Sequence, residues 1–178
     1  MFEWFFGSPT KKYSIKADLF YPNESKDINY TGPNPTKILF AIGSILKQSF
    51  RIQGADTYED VFKWDVANPT LIKFHAKWRC RKKLDDHSAF YGSISCQGEM
   101  DKKTDEGWVK IGYKGNIDTG IPYTSAFDKA LKHLYFQKYH IKQLRSYTKK
   151  MMLLLYDFDK NVRDLYKLPD APVREEAR

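Results

Sequence analysis

The sequence predicts an α+β fold of strand, helix, four antiparallel strands and a long C-terminal helix, the sheet curved and packed on that last helix. Three observations carry this. Apolar and polar residues alternate with a period of two in five stretches between Tyr13 and Ile117, separated by loops and one helical stretch. After Ser125 the period becomes helical, and the links between the later strands are short and polar. At 178 residues, 42% apolar and 16% aromatic, the chain is too apolar for a disordered segment and suits one domain, residues 1–168, followed by a charged tail, 169–178.

The first strand is expected from Tyr13 to Tyr21, where Tyr13, Ile15, Ala17, Leu19 and Tyr21 alternate with Ser14, Lys16 and Asp18. A loop rich in Asn, Gly and Pro should follow from Pro22 to Pro33. Asn34 then reads as a helix cap and Pro35 as the first helical residue, ahead of the broad apolar face of Ile38, Leu39, Ala41, Ile42, Ile45 and Leu46. Thr57–Val66 is the next strand, with Tyr58, Phe62, Trp64 and Val66 on one face and Asp60 as a bulge, a paired acid or a partly buried one. Leu71–Leu84 alternates most clearly: Ile72, Phe74, Ala76, Trp78 and Cys80 face one way, and Lys73, His75, Lys77, Arg79, Arg81 and Lys83 the other. Ala89–Met100 and Trp108–Ile117 complete the meander.

The C-terminal helix is expected over about 125–167, capped by Ser125 with Asp128 in its first turn and stopped by Pro169. Unbroken, it would be about 65 Å long against a compact diameter near 40 Å. It must therefore protrude or break, the break falling at Ser146–Thr148; one long bent helix fits the absence of Pro and Gly. Rows seven residues apart, Phe127–Leu134–Ile141–Leu155–Val162 and Ala130–Leu144–Met151–Phe158–Leu165, together with the apolar run Met151–Tyr156, suit a homodimer through this helix or packing on its own domain.

This order of elements, from Tyr13 to about Leu168, resembles the helix-grip proteins, the START and pollen-allergen-like ligand binders. It also describes half of a TATA-box-binding protein. The helix-grip resemblance implies a non-enzymatic protein with an apolar cavity for a small molecule or lipid between sheet and helix. Phe74, Trp78, Phe90, Ile111 and Tyr113 would line that cavity, and Leu134 and Ile141 would close it. Small residues among the inward aromatics, such as Ala76, Gly92, Gly98 and Gly115, fit either such a cavity or a closely packed helix.

Charge points to a second function. The chain has 30 Lys and Arg against 22 Asp and Glu, a net charge of +8, and the basic residues are segregated. Residues 73–83 hold six cations and no acid, and residues 129–150 hold seven and no acid. Lys73, Lys77, Arg79, Arg81 and Lys83 on one strand face, with Trp108 as a stacking platform, would suit RNA or another polyanion; the plain alternative is a solvated Lys-rich surface.

No catalytic set, metal cluster or cofactor loop is expected. Cys80 and Cys96 read as core thiols, His133 and His140 are too far apart to share an ion, and the calcium-like run Asp157–Asp159–Asn161 lacks the Gly and Glu of a true loop. No apolar run reaches the length of a membrane span. Two cysteines and no leader-like segment favour a cytoplasmic protein. The rings Phe2, Trp4, Phe5 and Phe6, ahead of Lys11 and Lys12, would either plug one end of the sheet or settle at a bilayer interface.

Overall fold

A computed structural model describes residues 11–23 and 25–170; the Phe2–Phe6 aromatic cluster and nearly all of the charged tail lie outside them. The elements are β1 Lys11–Asp18, β2 Lys26–Pro33, α1 Lys37–Phe50, β3 Thr57–Asp65, β4 Leu71–Lys83, β5 Ser88–Asp101, β6 Glu106–Tyr123, α2 Ala126–Tyr135 and α3 Ile141–Leu165. The strands form one curved antiparallel sheet in the order β1–β6–β5–β4–β3, with β2 also on β6. Among the described residues no helix is long and apolar enough to cross a membrane.

Strand β2 corrects the expected loop from Pro22 to Pro33. Its backbone pairs with β6 from Lys26 opposite Tyr113 to Pro33 opposite Glu106, while β1 pairs with the other half of β6, Lys11 opposite Tyr123 to Asp18 opposite Asn116. β1 and β2 thus form one interrupted edge, and β6 runs on to Tyr123 to serve both. Asp27, Asn29, Thr31 and Gly32 hid the strand, whose packing rests on buried Ile28 and on Tyr30 stacked against Tyr166 at 4.2 Å.

Helix α1 starts later than expected. Asn34 is not its cap but takes a left-handed φ of 53°, which asparagine tolerates, and Thr36 precedes the first turn. The Tyr166 hydroxyl serves this end: it donates to the Pro35 carbonyl at 2.6 Å and accepts from the Ile38 N–H at 3.2 Å. At the other end Lys82 Nζ donates to the carbonyls of Phe50 and Arg51 at 2.8 and 3.1 Å, supplying a cation where the helix dipole is negative. Burial, with Lys150 and Arg51 nearby, pulls the Lys82 pKa down.

The core lies between the sheet and α1 with α3. From the sheet come Phe74, Trp78, Cys80, Phe90, Ile94, Cys96, Ile111, Tyr113 and Ile117; from the helices come Ile38, Ile42, Leu46, Phe50, Met151, Leu155, Phe158 and Val162. Rings dominate: Phe50 stacks on Phe90 and Phe158 at 5.3 and 5.9 Å, and Tyr113 meets Phe158 and Phe20 edge-on at 5.4 and 5.7 Å. A Cβ on Gly115 would stand 2.6 Å from the Phe90 ring, and one on Gly98 2.5 Å from the Phe74 ring. These small inward residues make room for neighbouring aromatic side chains. Burial pushes the Cys80 and Cys96 thiols up to about 12, so both are inert core residues.

β3 carries a bulge between Glu59 and Val61. Phe62 and Trp64 keep the parity of the core face, but Tyr58 moves to the opposite face, opposite Arg79, which corrects the single-face reading of this strand. The C-terminal helix runs from Ala126 to Leu165 through a π-turn at Phe136–His140. One long helix therefore forms, as expected, and its irregularity falls ten residues before the alternative break point at Ser146–Thr148, where Thr148 Oγ1 simply donates to the Leu144 carbonyl at 2.9 Å. A π-turn takes about one extra residue, so it rotates the faces beyond it by roughly 90–100°. Leu155 and Val162 are consequently buried while Phe127 and Leu134, earlier in the same seven-residue row, face solvent. Of the run Met151–Tyr156, Met151, Leu154 and Leu155 pack on the chain's own core; Leu153 and Tyr156 are exposed.

Candidate functional site

No described helix covers the second face of the sheet, and the pairing register fixes what it presents. Residues directly opposite one another share a face. Reading across β3, β4, β5 and β6 gives rows of Lys63, His75, Gln97 and Lys110; of Val61, Lys77, Ser95 and Gly112; and of Tyr58, Arg79, Ser93 and Lys114. Arg81, Tyr91 and Asn116 make the next row, and Lys73, Glu99 and Trp108 lie at the other end. Three rings stand among these cations: Tyr58, Tyr91 and Trp108, respectively 51, 40 and 40% exposed.

Acids neutralise part of this surface. Asp60, set by the bulge, accepts from Arg79 Nε at 2.6 Å and raises the guanidinium pKa further through that bond and its charge. Lys110 meets Asp27 at 2.9 Å, and Lys73 meets Glu99 at 3.5 Å. The two lysine pairs are solvent-exposed and therefore weak, so a phosphate can replace the acid in either at little cost. Lys77, Arg81 and Lys114 have no acidic partner among the described residues; Arg81 lies 5.8 Å over the Tyr91 ring.

At the β1 end the face dips into a pocket of about 400 Å³, its walls including Lys12, Arg81, Lys83, Asp85, His87 and Asp118. Its floor is held by the β4–β5 turn. Burial works against the Asp85 carboxylate, but the His87 N–H at 2.7 Å, the Tyr147 hydroxyl at 2.9 Å and the Ser88 N–H at 2.6 Å outweigh it and hold Asp85 below the usual carboxylate range. A depressed folded-state pKa contributes stability above the unfolded value of about 3.9 and loses it as pH falls through the folded one. Asp85→Asn is therefore expected to lower the urea midpoint at pH 7, and its deficit against the native chain to shrink at pH 3. A deficit of equal size at both values would remove this role.

The polyanion residues read from sequence are brought together: Lys73, Lys77, Arg79, Arg81 and Lys83 line one side of β4, with Trp108 two strands away on the same face. Lys83 is tied to Asp86 at 2.7 Å. Lys82, counted in the basic run, belongs to the end of α1 instead. The register adds Tyr91 opposite Arg81, Lys114 in the row of Arg79 and Lys110 in the row of His75; Tyr58 was hidden by the bulge. The cavity residues fare differently. Phe74, Trp78, Phe90, Ile111 and Tyr113 are buried against one another and the helices. Trp78 Nε1 donates to Glu59 at 3.3 Å, and the Tyr113 hydroxyl to Asp159 at 2.6 Å. Ile141 is half-buried, and exposed Leu134 does not close anything over the sheet, which corrects that expectation.

No family model and no curated protein matches the chain. Among solved structures it is similar to a Staphylococcus aureus protein of unknown function, at 9% identity over 86% of this chain and 98% of that one, with a TM-score of 0.28. It is also similar to an uncharacterized protein from Rhizobium leguminosarum, at 9% identity over 84% of this chain and 95% of that one, with a TM-score of 0.24. At this level of likeness, function has to be argued from the residues themselves.

Proposed function

We propose that this protein binds single-stranded nucleic acid, RNA or DNA, across the open face of its sheet. The observation that carries the reading is that exposed Tyr58, Tyr91 and Trp108 share with Lys77, Arg79, Arg81 and Lys114 a sheet face that no described helix covers. Cations attract any polyanion; exposed rings at fixed places among them favour one that has bases to stack. Stacking is worth about 1–3 kcal/mol per base and reads little sequence. The apolar-ligand reading has less support, because the residues assigned to its cavity pack against neighbouring side chains.

Trp108→Ala is expected to weaken binding of a short unstructured oligonucleotide by about 5- to 150-fold, the equivalent of one lost stack. Fluorescence anisotropy measures this directly, with retention on heparin as the comparison. A Trp108→Ala variant that binds oligonucleotide as tightly as the native chain would refute stacking at this site. Retention on heparin without oligonucleotide binding would reduce the reading to a general polyanion surface.

A further inference from the structure

Helix α2 is turned inside out. Its polar side faces the sheet: His133 meets the Tyr13 ring edge-on at 5.5 Å, Lys129 lies over the rings of Tyr13 and Tyr123 at 5.7 and 5.5 Å, and Lys132 Nζ donates to the Pro122 carbonyl at 2.7 Å. Its apolar side faces outward. Phe127, Leu131 and Leu134, spaced four and three residues apart on one side of the helix, are 76, 53 and 64% exposed. Leaving such a stripe in water is unfavourable, and no described residue covers it.

Area and charge choose between occupants. Three side chains fall well short of the ~800 Å² per partner that a stable dimer covers. A second copy would also bring together two strongly basic helices, since exposed Lys142, Arg145, Lys149 and Lys150 follow the stripe on the same rod. The one acid in the α2 first turn, Asp128, is already bonded to Lys132 at 3.0 Å. Exposed Lys11 stands beside the start of α2, because β1 pairs there with Tyr123. A short apolar stripe flanked by many cations matches the chemistry of an anionic bilayer interface. Rings and leucines enter at headgroup level there, and lysines meet lipid phosphates and carboxylates.

We infer that α2 docks this protein on anionic membrane surfaces, with Phe127, Leu131 and Leu134 inserted and the neighbouring lysines and arginine against the headgroups. This surface is separate from the open sheet face, so the docking stands or falls independently of nucleic-acid binding. The test is cosedimentation of the full chain with phosphatidylserine-rich and with pure phosphatidylcholine vesicles at low salt. The native chain is expected to bind the first and not the second. Leu131→Glu/Leu134→Glu should reduce that binding at least tenfold while keeping the native melting temperature, since both positions are exposed. Lys77→Glu/Arg81→Glu, on the sheet face, should leave it within a fewfold of native. Three results would overturn the inference: no binding of the native chain to anionic vesicles, equal binding by the Leu131→Glu/Leu134→Glu variant, or a native dimer in light scattering that this variant converts to monomer.

Discussion

Phe90→Ala is expected to destabilise the protein by about 3–5 kcal/mol, the range for deleting a buried ring whose site cannot collapse. Phe90 is fully buried, stacks on Phe50 at 5.3 Å and lies directly over Gly115, with Leu155 beyond. These neighbours belong to three different elements, so relaxation into the void would require α1 and α3 to move together. With a urea dependence of roughly 2 kcal/mol/M the unfolding midpoint should fall by about 2 M. The same measurement distinguishes a packed interior from a ligand cavity. A loss below about 1 kcal/mol would mean that the ring borders empty space, and the apolar-ligand reading would regain ground.

Asp159→Ala carries the second large effect, about 3 kcal/mol. Asp159 accepts from the Tyr113 hydroxyl at 2.6 Å on one oxygen and from Arg163 Nε at 2.6 Å on the other, and both carboxylate and guanidinium are largely buried. Burial, then the bond to Asp159, pushes the Tyr113 hydroxyl pKa up, so tyrosine remains the donor. Removing the carboxylate leaves a cation without compensation and a buried hydroxyl without its acceptor. Much of the loss is the cost of the orphaned charge, so Asp159→Ala/Arg163→Met should be more stable than Asp159→Ala alone. Equal or lower stability of the double variant would show that packing of the arginine stem, not its charge, is what matters.

The parts of this molecule legible from sequence are those where one local rule acts alone. Alternation in β4, β5 and β6 is strict because one face meets the helices and the other meets water, and it located both the core rings and the basic face. Strand β2 was not legible because its pairing partner, β6, supplies the order that its own Asn, Gly and Pro residues do not suggest. Asp60 broke the alternation visibly enough to read as a bulge or a paired acid, and it is both. Its consequence, the turn of Tyr58 to the other face, was not legible. The π-turn at Phe136–His140 rotated the helical rows by a residue that no period count detects. The meaning of the inward glycines depends on what stands opposite them, and only the folded positions of Phe74 and Phe90 decide between cavity and packing. Lys82 looked like one more cation of a surface stripe until the end of α1 was seen beside it.

The salt dependence of oligonucleotide binding tests the central reading most directly. A single strand displaces about 0.7 counterions for each phosphate that the protein neutralises. Contacts from Lys77, Arg79, Arg81 and Lys114 thus predict a slope of log K against log salt of about −3. In Lys77→Gln/Arg81→Gln, which removes two of the four cations and adds no acid, the slope should become shallower by about 1.4 and affinity at low salt should fall more than tenfold. An unchanged slope in that variant would contradict the account, because the strand would then be held somewhere other than the open face of the sheet.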